Sequence, residues 1–150
     1  MSRRPDITFT PEEQATFLEE PHKAALATVD KDGFPHVVAM GFLAKDGAIY
    51  MTSYAKAQKV VNIRRNPKVG VMVETGQRYA DFRAVMIRGH CEIIENPRLV
   101  ETTIRAIAAK QARTATSPGG AMTSAPKRVV LKIIPEKIAS WDHTKLGGRY

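Results

Sequence analysis

Cys91 is the only cysteine in the 150 residues. With no second thiol there is neither an intrachain disulfide nor a cysteine-based metal site, which fits a reducing compartment. Cys91 sits in the apolar run around Ile93 and Ile94 and reads as a packed core residue rather than a reactive thiol. No apolar stretch approaches the roughly 20 residues needed to span a bilayer. The basic start, Met1-Ser-Arg-Arg-Pro-Asp6, is not followed by an apolar segment. Neither secretion nor a membrane partner is expected, and the chain reads as cytoplasmic. The histidines, His22, His36, His90 and His143, have no metal-ligand spacing, and no metal site is expected. There is no nucleophile elbow, Walker loop or dinucleotide glycine fingerprint. An enzyme lacking all of these is easiest to explain when a bound cofactor supplies the reactivity and the protein supplies position and electrostatics.

Carboxylates are also scarce, at 15 Asp and Glu against 23 Lys and Arg, a formal net charge of +8. An anionic partner follows from that balance. Nucleic acid is disfavoured, because the basic residues are dispersed and no recognition helix, zinc ligands or aromatic-studded RNA-binding strand is present. A phosphorylated or carboxylated small molecule satisfies the charge equally well.

At 150 residues and 43% hydrophobic composition, the chain has room for one domain, residues 1–150, with a modest core. Residues 1–20 form an N-terminal helical segment, in which Thr10-Pro-Glu-Glu13 is a capping box opening a short helix through Phe17 and Leu18. That helix is expected to plug one end of the fold. Ala24 to Val29 and Val37 to Leu43 flank the turn Asp30-Lys-Asp-Gly33 and read as a hairpin. Asp46-Gly47 repeats the device before Ala48 to Ser53, so the pattern predicts a meander of three antiparallel strands.

Val69 to Glu74 and Ala84 to Ile94 are strand-like runs around a loop from Thr75 to Phe82. Asn96-Pro97 caps a second long helix through about Ala112, with Leu99, Val100, Ile104 and Ile107 on one stripe. Residues 114–127, rich in Thr, Ser, Gly, Ala and Pro, read as a mobile surface loop. Arg128 to Ile134 is a buried strand that Pro135 is expected to end, with Lys137 to Trp141 adding a short edge strand. Six or so antiparallel strands with flanking helices and no internal repeat suggest a mainly β fold, a small closed or split barrel.

The most informative stretch runs from Ala48 to Pro67. Ile49, Met51 and Ser53 alternate with Tyr50, Thr52 and Tyr54 as in a strand, and Val60, Ile63 and Arg64 then fall at helical spacing before Asn66-Pro67. The helix start offers unpaired N–H groups and a positive dipole end, with Ser53, Lys56 and Lys59 beside it, so a phosphate could sit there. The same residues would also make an ordinary capped surface helix with solvated lysines.

Three segments in order, "ATVD..G.PHV" from Ala27, "IYMTS..KAQKV.NIRRNP" from Ile49 and "IRGHCEII" from Ile87, resemble the pyridoxamine-phosphate-oxidase-like split barrels. The likeness extends from about Pro21 to Trp141. Within that superfamily the chain looks most similar to the branch that uses the deazaflavin coenzyme F-420, partly through Trp141-Asp-His-Thr-Lys-Leu-Gly-Gly148.

The resemblance implies a homodimeric, FMN-binding-like split barrel with the cofactor between subunits. It implies hydride transfer between coenzyme F-420 and a small unsaturated or conjugated acceptor. Coenzyme F-420 carries a phosphodiester and a glutamate tail, which a basic rim would suit. Carried over residue by residue, Thr52, Ser53, Lys56, Ala57, Gln58 and Lys59 form the phosphate turn, with Lys59 foremost. His36, Val37, Val38 and Met40 lie on the strand along the ring. Phe82 and Trp141 are the aromatics placed to cover a ring from the second subunit.

The flavin-phosphate enzymes read Ser-Arg-Lys at this turn. Ala57-Gln58 here replace the serine and arginine, which favours the deazaflavin over FMN. The arginine opening the corresponding strand in pyridoxamine phosphate oxidase is missing, so that activity is not expected. No catalytic side chain is singled out. A non-catalytic cofactor-storage protein, or an FMN-dependent oxidoreductase of the same fold, would share the same features.

Overall fold

The computed structural model describes residues 6–113 and 125–148. Helix α1 (Pro11–Glu19) opens on the expected box: the Thr10 hydroxyl accepts from the Glu13 N–H at 3.2 Å, and Glu13 accepts from the Thr10 N–H at 3.0 Å. The reciprocal pair satisfies two helix-end donors, and α1 then buries Phe17 and Leu18 in the core. Strands β1 (Lys23–Val29) and β2 (Pro35–Gly41) form the expected hairpin, whose turn is closed by Asp30 Oδ1 accepting from the Asp32 and Phe34 N–H groups.

The predicted meander stops there. Strand β3 (Leu43–Lys45) pairs with β4 (Ala48–Tyr54) around Asp46-Gly47, both at positive φ, but β4 pairs on its other side with β7 (Arg128–Asp142), not with β2. With β5 (Lys68–Thr75) and β6 (Arg83–Ile94), one seven-stranded antiparallel sheet results, ordered β2-β1-β5-β6-β7-β4-β3, with β2 and β3 at its two edges. Phe42, alone between β2 and β3, is fully buried at a corner that carries the chain from one edge to the other. Gly41 is packed against Ile107 and Gln111 of the last long helix, and the chain does not fold back into a ladder there. The sheet curls instead, and β2 and β4 come close without being hydrogen-bonded neighbours, which is the split of the barrel.

Helix α2 (Gln58–Arg65) follows β4 and leads into β5 (Lys68–Thr75). The loop between β5 and β6 (Arg83–Ile94) contains a short 3-10 turn, Tyr79–Asp81. Helix α3 (Pro97–Ala112), capped by Asn96, packs Val100 and Ile104 against Val130 of β7. The loop expected over 114–127 lies outside the described residues except for Ala125–Lys127, a 3-10 turn.

Strand β7 (Arg128–Asp142) corrects the expectation that Pro135 ends the strand and that Lys137 to Trp141 forms a separate edge piece. It is one 15-residue strand, paired to β6 over Val130–Asp142 and to β4 over Arg128–Ile133. A bulge opposite Arg88-Gly89 absorbs the proline: the register passes from Arg88↔Lys137 to Gly89↔Pro135, leaving Glu136 as the extra residue. Glu136 turns to His90, with its Oε1 2.9 Å from Nδ1.

The core runs along the inner face of the curled sheet through Leu26, Met51, Val71, Val85, Leu131 and Ile133. Cys91 belongs to it, and burial, with Glu92 adding, pushes its thiol up to about 12, so the sulfur is an unreactive packed thiol.

At Gly89 a Cβ would lie 2.2 Å from the Ile134 carbonyl oxygen. That contact is with backbone and has no rotamer to escape through. We therefore expect Gly89→Ala to destabilise the fold by about 3 kcal/mol or more. Chemical denaturation checks it, and a loss below about 1 kcal/mol would show that the bulge relaxes freely.

Candidate functional site

Strand β4 ends at Tyr54, and Tyr54 is the register partner of Arg128 at the start of β7. One step further the Ala55 N–H donates to the Lys127 carbonyl at 2.9 Å. These contacts place Lys127 and Arg128 beside the turn that carries Lys56 and Lys59. The Arg128 guanidinium lies over the Tyr54 ring, 4.1 Å from its centroid. A cavity of about 370 Å³ is lined by Tyr54, Ala55, Lys56 and Lys127.

Partial burial, and then the nearby Arg128 charge, lower the Lys59 ammonium below its ordinary value. The Arg128 contribution puts a second cation within electrostatic reach of Lys59. None of the ion pairs between described residues includes Lys56, Lys59 or Lys127.

Helix α2 begins at this cluster. Its N-cap is Ala57, which has no side-chain acceptor, and the Ala57 N–H bonds to the Tyr54 carbonyl at 3.1 Å. The first N–H groups of such a helix have no partner within the helix and carry its positive dipole end. Gln58 does not face the cavity with its amide: Nε2 donates to Asn62 Oδ1 at 2.7 Å. Asn62, fully buried, donates to the Thr28 hydroxyl at 3.0 Å and so docks α2 on β1.

The other candidates fall in different places. Ser53 is buried on the inner face, with its hydroxyl 3.2 Å from the Tyr54 carbonyl oxygen that accepts from it. Thr52 is on the opposite face, paired with Val130 beneath α3. On β2, His36, Val38 and Met40 pair with the buried Thr28, Leu26 and Ala24 and share their inward face, while Val37 points outward and is 60% exposed. The His36 Nδ1 is buried without a partner among the described residues, a deficit of about 1–3 kcal/mol unless a ligand or water supplies one.

Phe82 and Trp141 do come together. They line a cavity of about 240 Å³ with Met72, Glu74 and Arg83 on the outer face of the sheet. A neighbouring cavity of about 290 Å³ shares Met72 and Glu74 and reaches Val37 and Val38, so ring strand and aromatics meet on one trough. The trough and the basic cavity share no lining residue. Beside Phe82, the Tyr79 and His143 rings meet at a tilt of 53° with centroids 4.5 Å apart, and His143 Nδ1 donates to the Tyr79 carbonyl at 2.6 Å. A carbonyl can only accept, so this nitrogen carries a proton.

Lys127 and Arg128 were not legible as site residues. They lie some 70 positions from Lys56 and Lys59, and only the β4–β7 pairing joins them. Among the described residues no group of three or more His, Cys, Asp or Glu could hold a metal ion, and no helix is long and apolar enough to cross a membrane.

A curled seven-stranded antiparallel sheet with flanking helices defines the split-barrel class. The family model for pyridoxamine 5'-phosphate oxidase matches residues 10–142, and the chain belongs to that family. It is similar to a conserved hypothetical protein of Mycobacterium tuberculosis, at 33% identity and a TM-score of 0.82 over 100% of this chain and 95% of that one. It is similar also to an F-420 reductase, at 28% identity and a TM-score of 0.70 over 87% and 98%. A FAD-binding protein of Mesorhizobium loti, at 23% identity and a TM-score of 0.69 over 89% and 94%, shares the fold. No curated protein matches the sequence.

If Lys59 and Arg128 share one field, Arg128→Gln should raise the Lys59 ammonium toward its ordinary value. NMR titration of the lysine side chain reads this directly, and an unmoved midpoint would separate the two cations.

Proposed function

We propose that the protein is a deazaflavin-dependent oxidoreductase that binds coenzyme F-420 and reduces a small conjugated acceptor. The observation that carries this reading is the convergence of Lys56, Lys59, Lys127 and Arg128 on the start of α2, a donor set suited to a phosphate. The likeness to an F-420 reductase supports it. So does Gln58, whose amide is turned along the helix to Asn62 and leaves the turn without the second cation of the flavin-phosphate pattern.

When bound, the reduced deazaflavin supplies the hydride. Lys59, with Lys56 and the β7 cations, would hold the phosphate, and β2 would lie along the ring through the outward Val37, while His36 Nδ1 faces the inner side of the sheet. The chain's contribution is then placement and exclusion of water rather than acid–base chemistry by one indispensable residue.

One chain separates its basic cavity from the trough of Val37, Phe82 and Trp141, so a second copy is needed to close a ring from both sides. The outer face offers Val37, Met72 and Met86 at 60%, 38% and 39% exposure, a self-complementary apolar surface for a homodimer. Light scattering should give a dimer, and Met72→Glu should shift it toward monomer. A monomeric parent would remove this part of the reading.

In side-by-side titrations read by quenching of Trp141, coenzyme F-420 should bind more tightly than FMN. Lys59→Ala should weaken F-420 binding roughly ten- to a hundredfold, the loss of about 1.5–3 kcal/mol from a charge-assisted hydrogen bond. Equal or tighter FMN binding would point to the flavin alternative. Tight binding of reduced F-420, without faster oxidation by quinones or enones than in free solution, would favour the storage reading.

A further inference from the structure

Lys110, in the last turn of α3, is 2% exposed. Its Nζ donates to the Leu18 carbonyl near the end of α1 at 2.8 Å and lies 3.7 Å from the centroid of the Phe42 ring. No carboxylate among the described residues forms an ion pair with it. A buried cation with a single carbonyl partner costs stability, and an apolar side chain of the same length would fill the space as well. The charge therefore has to be explained by what it holds in place.

It holds the corner between β2 and β3. Phe42 is the one residue of that corner and is fully buried. Its neighbour Gly41 is approached so closely by α3 that an added Cβ would lie 2.7 Å from Gln111 Nε2 and 3.1 Å from Ile107 Cγ2. Strand β2 is an edge strand, hydrogen-bonded along β1 only. With one long side unpaired, its position depends on the β1 ladder and on its two ends, the Asp30–Phe34 turn and this corner.

We propose that Lys110 is a positioning residue for the candidate cofactor site: its ammonium clamps the Gly41–Phe42 corner and the end of α1 to α3, and thereby fixes β2 from His36 to Met40. This rests on the reading that β2 lies along the cofactor ring. Burial pushes the Lys110 ammonium down to about 8, with Glu19 of α1 opposing the shift and Arg113 of α3 adding to it; the Gly41–Leu43 corner carries no charged side chain. The clamp should thus loosen as its charge is lost through that pH. Between about 8 and the ordinary value of 10.5 the native state holds fewer protons than the unfolded chain, so the Lys110 contribution to stability rises with pH while the clamp weakens.

The test follows backbone amide shifts of the cofactor-free protein from about pH 7 to about pH 9.5, in the parent and in Lys110→Met. In the parent, Phe42 and His36 to Met40 should titrate together near pH 8, and in Lys110→Met that transition should vanish while the melting temperature at neutral pH stays level or rises. Coenzyme F-420 affinity should fall about tenfold in the variant, and its pH slope through this range should become shallower, leaving only the part that Lys59 contributes. A parent titration confined to α1 and α3, with β2 unmoved, would overturn the proposal, and needs no variant to be seen. So would a variant with parent affinity and parent β2 shifts. If the parent binds no F-420, the functional reading fails, while the cofactor-free shifts still decide the clamp.

Discussion

The pairing of β4 with the first half of β7 is the constraint on which the rest of the structure depends. Six consecutive register pairs, from Ile49↔Ile133 to Tyr54↔Arg128, join segments far apart in the chain and curl the sheet. Without them β3 and β4 would form an isolated hairpin, which is marginally stable in water at best. The same pairs set Lys127 and Arg128 against the turn that carries Lys56 and Lys59. Closure of the barrel and assembly of the basic cavity are consequences of one set of hydrogen bonds.

Local signals in the sequence were read correctly where short-range chemistry decides the outcome. The capping box at Thr10, the turns at Asp30–Gly33 and Asp46-Gly47, the Asn96 cap and the helix stop at Asn66-Pro67 all appear as expected. Long-range pairing was not legible. Nothing in the residues of β2 and β4 says that they do not pair, because strands of either arrangement carry the same alternation. Pro135 was misread for a related reason: a proline ends a ladder unless a bulge frees it, and the bulge depends on Gly89, 46 positions away.

The candidate site was partly legible for the same reason. Lys56, Lys59 and the start of α2 follow from one contiguous segment, and Phe82 with Trp141 do share a cavity. The cations supplied by β7, the Asn62–Thr28 bond beneath α2 and the buried Lys110 depend on tertiary contacts. Charge burial at Lys110 on α3 and the His36 Nδ1 on β2, without a partner among the described residues, are two places where local stability is given up. Such departures from local consistency are expected where a fold serves a ligand rather than itself.

The most direct test of the central claim is a crystal structure of the protein with coenzyme F-420. The account predicts phosphate oxygens at about 2.7–2.9 Å from the Lys59 ammonium or the Arg128 guanidinium, at the start of α2, with the deazaflavin ring along β2. A cofactor whose phosphate lies away from the Lys56, Lys59, Lys127 and Arg128 cluster, or whose ring does not touch β2, would contradict it.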